Sequence, residues 1–194
     1  GMAERVAEEW RAQETTVNPE TMPFTRSLNA VLDKVRPNPE PVAEMIARYG
    51  QTDLLCYRAE RPAELVERQA AVWDPLLDWA EAEYGARLIT TSGVMPIVQP
   101  VAAIEGLAAA VRHLDPYELT AAHDLVTLSG SLVLGLAAMT DRLDGEALWS
   151  AARLDELWQI EQWGADEEAE AMAATKKEAI HHALAFRASA RRFA

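Results

Sequence analysis

Apolar side chains recur every three to four positions along most of the chain, which is the spacing of helices that bury one face. In residues 24–35, for example, Leu28, Val31, Leu32 and Val35 form one stripe. Proline and glycine residues lie at the ends of such stripes, because proline breaks a helix interior and glycine easily takes the left-handed conformation at a helix end. The predicted helices span residues 3–13, 24–35, 40–49, 62–73, 75–84, 101–114, 116–140 and 145–163, and another begins at residue 165. The pattern predicts a mainly α fold, an orthogonal helical bundle.

Three segments depart from this spacing. Residues 15–23 contain two residue pairs that end in proline, and the residue before a proline avoids the helical region, so a linker is predicted there. Residues 53–58 are either a short buried strand or part of a turn, since periodicity does not distinguish the two. Residues 87–98 are rich in Ile, Thr and Val, which predicts a small β element or an irregular loop.

The longest apolar run covers residues 125–139 and is interrupted by Thr127, Ser129 and Ser131. It is shorter than the roughly 20 residues that a membrane-spanning helix needs, so no membrane insertion is expected. We interpret it as the middle of a central core helix, in which the serine hydroxyls bond to helix carbonyls.

Charged residues at helix ends indicate where two later helices begin and end. Asp144 is predicted to cap the helix that follows it. The acidic residues 166–168 complement the positive N-terminal end of the last helix, and Arg187, Arg191 and Arg192 complement its negative C-terminal end.

Composition narrows the possible partners. The chain has 194 residues, a formal net charge of -13 and a pI near 4.7. Such acidity repels the phosphate backbone of nucleic acids, so no nucleic-acid partner is expected, whereas it suits a protein that must stay soluble while offering an apolar patch to another protein. The single cysteine, Cys56, cannot form an internal disulfide and favours a reducing compartment, the cytoplasm.

Groups that could carry catalysis or bind a cofactor are sparse. Neither a Walker loop nor a Gly-x-Gly-x-x-Gly loop occurs, so no cofactor is expected. His123 and Asp124 could act as a base and its orienting acid, but adjacent helical positions point about 100° apart, so we expect them not to face each other. His181 and His182 lack the i, i+4 spacing of helical zinc ligands, and Cys56 stands alone, so the pattern does not favour a metal site.

The penultimate predicted helix carries charged and aromatic side chains on one stripe. Trp149, Arg153, Glu156, Ile160 and Trp163 share this side, so a partly shielded carboxylate and a guanidinium are expected between two indoles. Such a cluster is typical of an anchor for a protein partner. Ordinary core tryptophans beside an i, i+3 ion pair would give the same pattern, and both interpretations stay open.

Five segments, in this order along the chain, carry a resemblance to a known family. They are Ala7-Glu8-Glu9-Trp10, Thr21-Met22-Pro23-Phe24-Thr25, Asp53-Leu54-Leu55-Cys56-Tyr57-Arg58, Trp73-Asp74-Pro75-Leu76 and Trp158-Gln159-Ile160-Glu161-Gln162-Trp163-Gly164. Together they resemble the ATP-twelve family, the assembly chaperones for the catalytic head of ATP synthase in mitochondria and related bacteria. The match runs nearly from end to end.

The resemblance implies a chaperone, and not an enzyme, that works without ATP. Its implied partner is the unassembled α subunit of ATP synthase, which it keeps from aggregating until the β subunit covers the exposed interface. The resemblance also implies that Trp10, Glu156, Gln159, Trp163 and Gly164 bind this client. It implies the cytoplasm as the location, and the mitochondrial matrix for eukaryotic relatives.

Family members carry a smaller β-rich N-terminal domain, and almost none of it precedes Trp10 here. We therefore expect residues 1–23 to be a lead-in helix and linker from a truncated N-terminal domain. Residues 24–194 are expected to form the helical chaperone domain.

Two other functions stay open from the residues alone. One is a helical protein-interaction module with a different client. The other is a small helical hydrolase that uses His123, Asp124 or the acidic run at residues 166–168, which would require those groups to converge at a pocket.

Overall fold

A computed structural model describes residues 1–93 and 95–190 of the chain. Within these residues there are ten α-helices, which are α1 (Met2–Arg11), α2 (Pro23–Ala30), α3 (Pro39–Ala47), α4 (Ala63–Tyr84), α5 (Val101–Arg112), α6 (Pro116–Ser129), α7 (Leu132–Met139), α8 (Gly145–Ala152), α9 (Leu154–Trp163) and α10 (Glu167–Ala190). Shorter 3-10 turns span Pro19–Thr21, Arg48–Thr52 and Leu54–Cys56, and a π-helical turn spans Val31–Val35. Arg191 and Arg192, predicted at the end of the last helix, lie outside the described residues.

Two short strands, β1 (Tyr57–Arg58) and β2 (Thr91–Ser92), form a parallel pair. They belong to two of the three segments that lack helical spacing, residues 53–58 and 87–98, so the prediction of a mainly α fold with one small β element is confirmed. The first of these segments is both a turn and a strand, because a 3-10 turn leads directly into β1.

Helices α6, α7 and α10 form the centre of the fold, since α6 packs against both of the others. Every residue of α7 is buried, and this helix is the second part of the long apolar run. Among the described residues, none of the helices combines the length and the apolar composition that crossing a bilayer requires.

The prediction of one central helix over residues 116–140 is wrong, because the helix is interrupted at Gly130. This glycine has a φ of +70°, the left-handed conformation that ends α6. Ser131 then caps α7, its hydroxyl oxygen accepting a 3.0 Å bond from the N–H of Leu134. Ser129 and Ser131 therefore lie at a helix junction and not in the middle of a helix.

A buried carboxylate from elsewhere in the chain holds this junction. Asp53 is fully buried and accepts hydrogen bonds from the hydroxyl of Ser131 at 2.7 Å and from the N–H groups of Val133 and Leu55 at 3.0 Å each. Burial raises the pKa of Asp53, while the bond from Ser131 lowers it. The segment before β1 is thus fastened to the N-terminal end of α7.

The prediction of separate helices before and after Pro75 is also wrong, because α4 continues through this residue. Proline has no N–H, so the carbonyl oxygen of Ala71 receives no bond from residue 75. Trp73 and Leu76 are buried on either side of the proline, and the indole N–H of Trp73 donates to the carbonyl oxygen of Ala151 at 2.9 Å. Packing around the proline therefore outweighs the lost helical bond.

The helix predicted over residues 145–163 is also wrong, because it is interrupted at Arg153. Arg153 leaves the helical region, with φ of -111° and ψ of 23°, and its guanidinium lies 4.8 Å from the ring centroid of Trp149. The new helix, α9, is drawn towards α4, because Asp155 accepts a 2.7 Å hydrogen bond from the side chain of Gln69. Contacts between distant segments set this change of direction.

The segment predicted as a linker is held by hydrogen bonds. The carboxylate of Glu9 accepts bonds from the N–H groups of Phe24 at 2.7 Å and Thr25 at 2.8 Å, so it caps α2. The side chain of Gln13 accepts a 2.8 Å bond from the N–H of Asn18. Helix α1 packs against α2 and α10. The domain boundary at residue 23 stays a prediction.

Candidate functional site

Helix α9 presents one face to solvent. Glu156, Gln159 and Trp163 are all exposed, and at 3.6 residues per turn they lie within about 60° of one another around the helix axis. The indole of Trp163 is 79% exposed. We call these three residues the α9 stripe; it brings together three of the five residues implied to bind a client.

The opposite face of α9 attaches the helix to α4. Besides the bond between Gln69 and Asp155, Arg68 donates to Glu161 at 2.8 Å and lies over the ring of Trp158, 4.8 Å from its centroid. The hydrogen bond from Arg68 lowers the pKa of the Glu161 carboxyl. The α9 stripe is therefore carried by a helix whose position does not depend on the stripe itself.

The stripe differs from the expected cluster in two ways. Trp149 is 8% exposed and Trp163 is 79% exposed, so the two indoles do not lie side by side on the surface around Arg153 and Glu156. Glu156 is exposed and not partly shielded as expected. Arg153 stacks on Trp149, and within residues 1–93 and 95–190 it forms no i, i+3 ion pair with Glu156. The carboxylate of Glu156 is thus available to another molecule.

A groove of about 420 Å³ lies between the first half of α10 on one side and the end of α6, α8 and the start of α9 on the other. Glu156 and Arg153 line one wall, and Met172 and Lys176 line the other. Met172 is 60% exposed, and most of residues 167–178 of α10 face solvent. This α9–α10 groove offers apolar surface beside both signs of charge, which suits protein side chains as occupants.

Gly164 ends α9 and belongs to the same region. It has φ of 88° and ψ of 167°, a combination that only glycine readily adopts, and its N–H donates to the carbonyl oxygen of Ile160 at 2.9 Å. Trp10 lies elsewhere: it is 52% exposed on α1, which packs against α2 and α10, whereas α9 packs against α4 and α8. Four of the implied client-binding residues are therefore on α9 or its end, and the fifth is on another part of the fold.

The expectation that His123 and Asp124 do not face each other is wrong. A ring nitrogen of His123 lies 3.0 Å from a carboxylate oxygen of Asp124, and both side chains are about 40% exposed. The side chains bend towards each other although their Cα–Cβ bonds diverge. They line a groove of about 390 Å³ beside Ser27.

Sequence reasoning missed a second histidine contact at this place. Nε2 of His182 lies 2.9 Å from the hydroxyl oxygen of Ser27, and its ring packs edge-on against Phe24, with 4.9 Å between centroids. Burial lowers the pKa of His182, opposed by the nearby charges of Asp124 and Glu9. With 155 positions between His182 and Ser27, no local pattern could have indicated the pair.

The remaining candidate groups have structural partners. Asp144 caps α8 as predicted, accepting from the N–H of Ala147 at 2.8 Å, and Asp166 in the acidic run accepts from the N–H of Ala169 at 2.8 Å. Burial raises the pKa of the Cys56 thiol to about 12. In the part of the chain that the structure describes, no three His, Cys, Asp or Glu side chains are grouped so that they could hold a metal ion.

A loop between β2 and α5 was also missed as an exposed apolar feature. Met95 is 72% exposed and Val98 is 90% exposed. The buried side chain of Gln99 fastens the end of this loop to the segment before β2, because it accepts from the N–H of Ile89 at 2.8 Å and donates to the carbonyl oxygen of the same residue at 2.9 Å. Two features of the sequence could have indicated it: the richness of residues 87–98 in Ile, Thr and Val, and the absence of acidic residues between positions 86 and 104.

Known proteins resemble this chain in sequence and in structure. Residues 1–81 match the family model described as ATP12 chaperone protein. The crystal structure of Atp12 from Paracoccus denitrificans has a TM-score of 0.90 and 48% sequence identity over 96% of this chain and 80% of that one. The Atu1473 protein from Agrobacterium tumefaciens has a TM-score of 0.90 and 41% identity over 97% of this chain and 70% of that one. The similarity therefore extends far beyond the segment that the family model covers.

Proposed function

Because this chain belongs to the ATP12 family of chaperones, we propose that it binds the unassembled α subunit of ATP synthase and prevents its aggregation while the catalytic head is assembled. The proposed activity is binding and not catalysis. It takes place in the cytoplasm, where a single unpaired cysteine is ordinary.

The α9 stripe is the observation that carries this proposal. Trp163 holds a large apolar surface in water at 79% exposure, next to the free carboxylate of Glu156. Rigid aromatic anchors beside a charged group are typical of the residues that dominate protein interfaces. Gln159 and Gly164 extend this surface, and Trp10 would contribute from α1.

Physically, a chaperone of this kind needs no ATP. A subunit that will enter a ring exposes apolar interfaces before assembly, and a protein that covers one of them lowers the concentration of the free, aggregation-prone form by mass action. Release requires only that the β subunit competes for the same surface with higher affinity.

The proposal is tested by mixing the purified chain with isolated α subunit and following aggregation by light scattering. We expect the wild-type chain to suppress scattering, and Trp163→Ala and Glu156→Lys to weaken suppression while circular dichroism stays unchanged. Leu32→Ala, at another exposed apolar residue (43% exposed), is the matched control and should act like the wild type.

Failure of the wild-type chain to suppress aggregation would contradict the proposal. Full suppression by both variants would move the client-binding site away from the α9 stripe. If a protein other than the α subunit co-purifies with the chain from a cell lysate, the alternative of an interaction module with a different client gains support.

One observation bears on the other alternative, a small helical hydrolase. His123 and Asp124 are in contact beside a groove, as a base and an orienting acid would be. Both side chains are half-exposed, where water weakens their pairing. Ester hydrolysis that is lost in His123→Ala would favour this function over the chaperone.

A further inference from the structure

A second groove lies on the other side of α9, between α4, α8 and α9, with a volume of about 670 Å³. Its floor is apolar and contains the buried side chains of Leu76 and Leu154. Val72, which is 37% exposed, and the half-buried Leu157 line its walls. We call it the α4–α8 groove. It is larger than the α9–α10 groove and faces away from the α9 stripe.

Hydrogen bonds between the helices that form its walls fix the shape of the α4–α8 groove. Trp73 of α4 bonds to the backbone of α8, and two side chains of α4, Arg68 and Gln69, bond to carboxylates of α9. A groove that already exists in the free protein spares a ligand the cost of forming it.

The charges in this groove do not cancel. Arg68 is paired with Glu161 at 2.8 Å, which leaves Arg142 as the third charged side chain of the lining. The guanidinium of Arg142 lies 5.5 Å from the ring centroid of Trp79, and within the described residues it forms no ion pair. A chain with a net charge of -13 thus keeps an uncompensated cation at an apolar groove.

The backbone of Arg142 is held in place by its neighbour. Asp141 has a φ of 60°, which is unfavourable for a residue with a Cβ atom. The buried guanidinium of Arg187 donates to both carboxylate oxygens of Asp141, at 2.6 and 3.0 Å. The N–H of Arg142 donates to the carbonyl oxygen of Ala137 at 2.9 Å. Arg142 therefore extends from a fixed point at the edge of the groove.

We propose that the α4–α8 groove binds one amphipathic helix of a partner protein, whose apolar side chains pack on the groove floor and whose carboxylate pairs with Arg142. The pre-formed apolar floor supplies affinity, and the single unpaired guanidinium selects an acidic ligand.

The occupant is a helix because of what the walls are made of. Three helices line the groove, so the walls present side chains and no row of free backbone groups. An extended segment would leave its own N–H and C=O groups without partners, whereas a helix satisfies them internally.

Two synthetic peptides test the proposal. One is a helical peptide with leucine at positions i, i+4 and i+7 and a glutamate beside them, and its twin has lysine in place of the glutamate. Each is titrated into the isotope-labelled chain while NMR records amide shifts. We expect the glutamate peptide to shift amides along α4, α8 and α9 around the groove and to bind about tenfold more tightly than the lysine peptide.

Variants decide whether the α4–α8 groove is responsible. Arg142→Glu should reverse the preference between the two peptides, and Ser150→Trp, which places an indole in the groove, should weaken both. Arg87→Glu makes the same charge change at a side chain that is 81% exposed outside the groove, and it should leave the preference unchanged. Melting temperatures identify any variant that fails to fold.

Three outcomes would overturn the proposal. They are an equal affinity for the two peptides, shifts that lie outside the groove, and an effect of Arg142→Glu no larger than that of Arg87→Glu. The experiment uses only the purified chain and the peptides, so its result does not depend on whether the α subunit is the client.

Discussion

Helices α7 and α9 both begin just after an interruption of a predicted helix, yet one is buried and the other is exposed. All of α7 is buried, and both of its ends are held: Asp53 bonds to its first turn and Arg187 donates to the carbonyl oxygen of Met139 at its last residue. In α9 only Leu154 is fully buried, and the helix ends at the exposed Trp163. The molecule thus separates a helix that is enclosed in the core from a helix that exposes one face to solvent.

This separation has a consequence for substitutions. Because α9 is attached through its inner face, changes on the α9 stripe should alter binding without altering stability. Changes around α7 should do the reverse.

The largest contrast is expected between two tryptophans that the helical spacing predicts on one helix and the structure places on α8 and α9. Trp149→Ala removes an indole that is 8% exposed and should lower the free energy of unfolding by about 3–5 kcal/mol through lost packing and a cavity. Trp163→Ala removes one that is 79% exposed and should change it by less than about 0.5 kcal/mol. Urea unfolding of both variants measures the difference, and equal losses would contradict the separation.

A smaller effect is expected at the break before α7. Gly130→Ala adds a Cβ that meets nothing within 4 Å, so its cost is the strain of a left-handed alanine, about 1 kcal/mol. Gly85→Ala is a matched control at the end of α4, with φ of +64° and nothing within 4 Å. Thermal and urea unfolding should give similar losses for the two, and no loss in Gly130→Ala would argue against a fixed break.

The smallest effect concerns pH and the second half of α10. Burial lowers the pKa of His182 in the folded chain below its ordinary 6.5, so the unfolded chain takes up the proton first as the pH falls. Stability should therefore decrease as the pH drops below about 6.5, and continue to decrease down to the folded-state pKa. His182→Gln, which can still bond to Ser27, should reduce this dependence in urea midpoints measured above and below that pH. An unchanged slope would exclude His182 as its source.

Local sequence patterns were sufficient for the fold class and for most helices. Proline and glycine placed many ends correctly, and the capping role of Asp144 needed only its position before an apolar stripe. The errors came where distant contacts decide. The break at Gly130 is held by Asp53, which is 78 positions before Ser131, and the continuity of α4 through Pro75 depends on what Trp73 packs against.

In the candidate site, too, local spacing predicts some features, and contacts between distant segments decide the others. Glu156, Gln159 and Trp163 share a helical face because of their spacing alone, and that could be read from the sequence. Met172 and Lys176 line a groove with Glu156 only because α10 packs against α6 and α8, which no spacing indicates. The contact between His123 and Asp124 depends on side-chain rotamers, which a helical wheel does not contain.

The side chain of Gln99 is hydrogen-bonded to residue 89, and these bonds do not depend on the side chains of the residues between them. Both bonds go to the main chain of Ile89, and every amino acid except proline offers the same pair of groups. Because β2 also lies between these two ends and pairs with β1, tolerance of new side chains is expected only in the exposed part after β2, around Met95 and Val98. A chaperone with this arrangement can gain a different binding surface at this loop without changes to the helices that form its core.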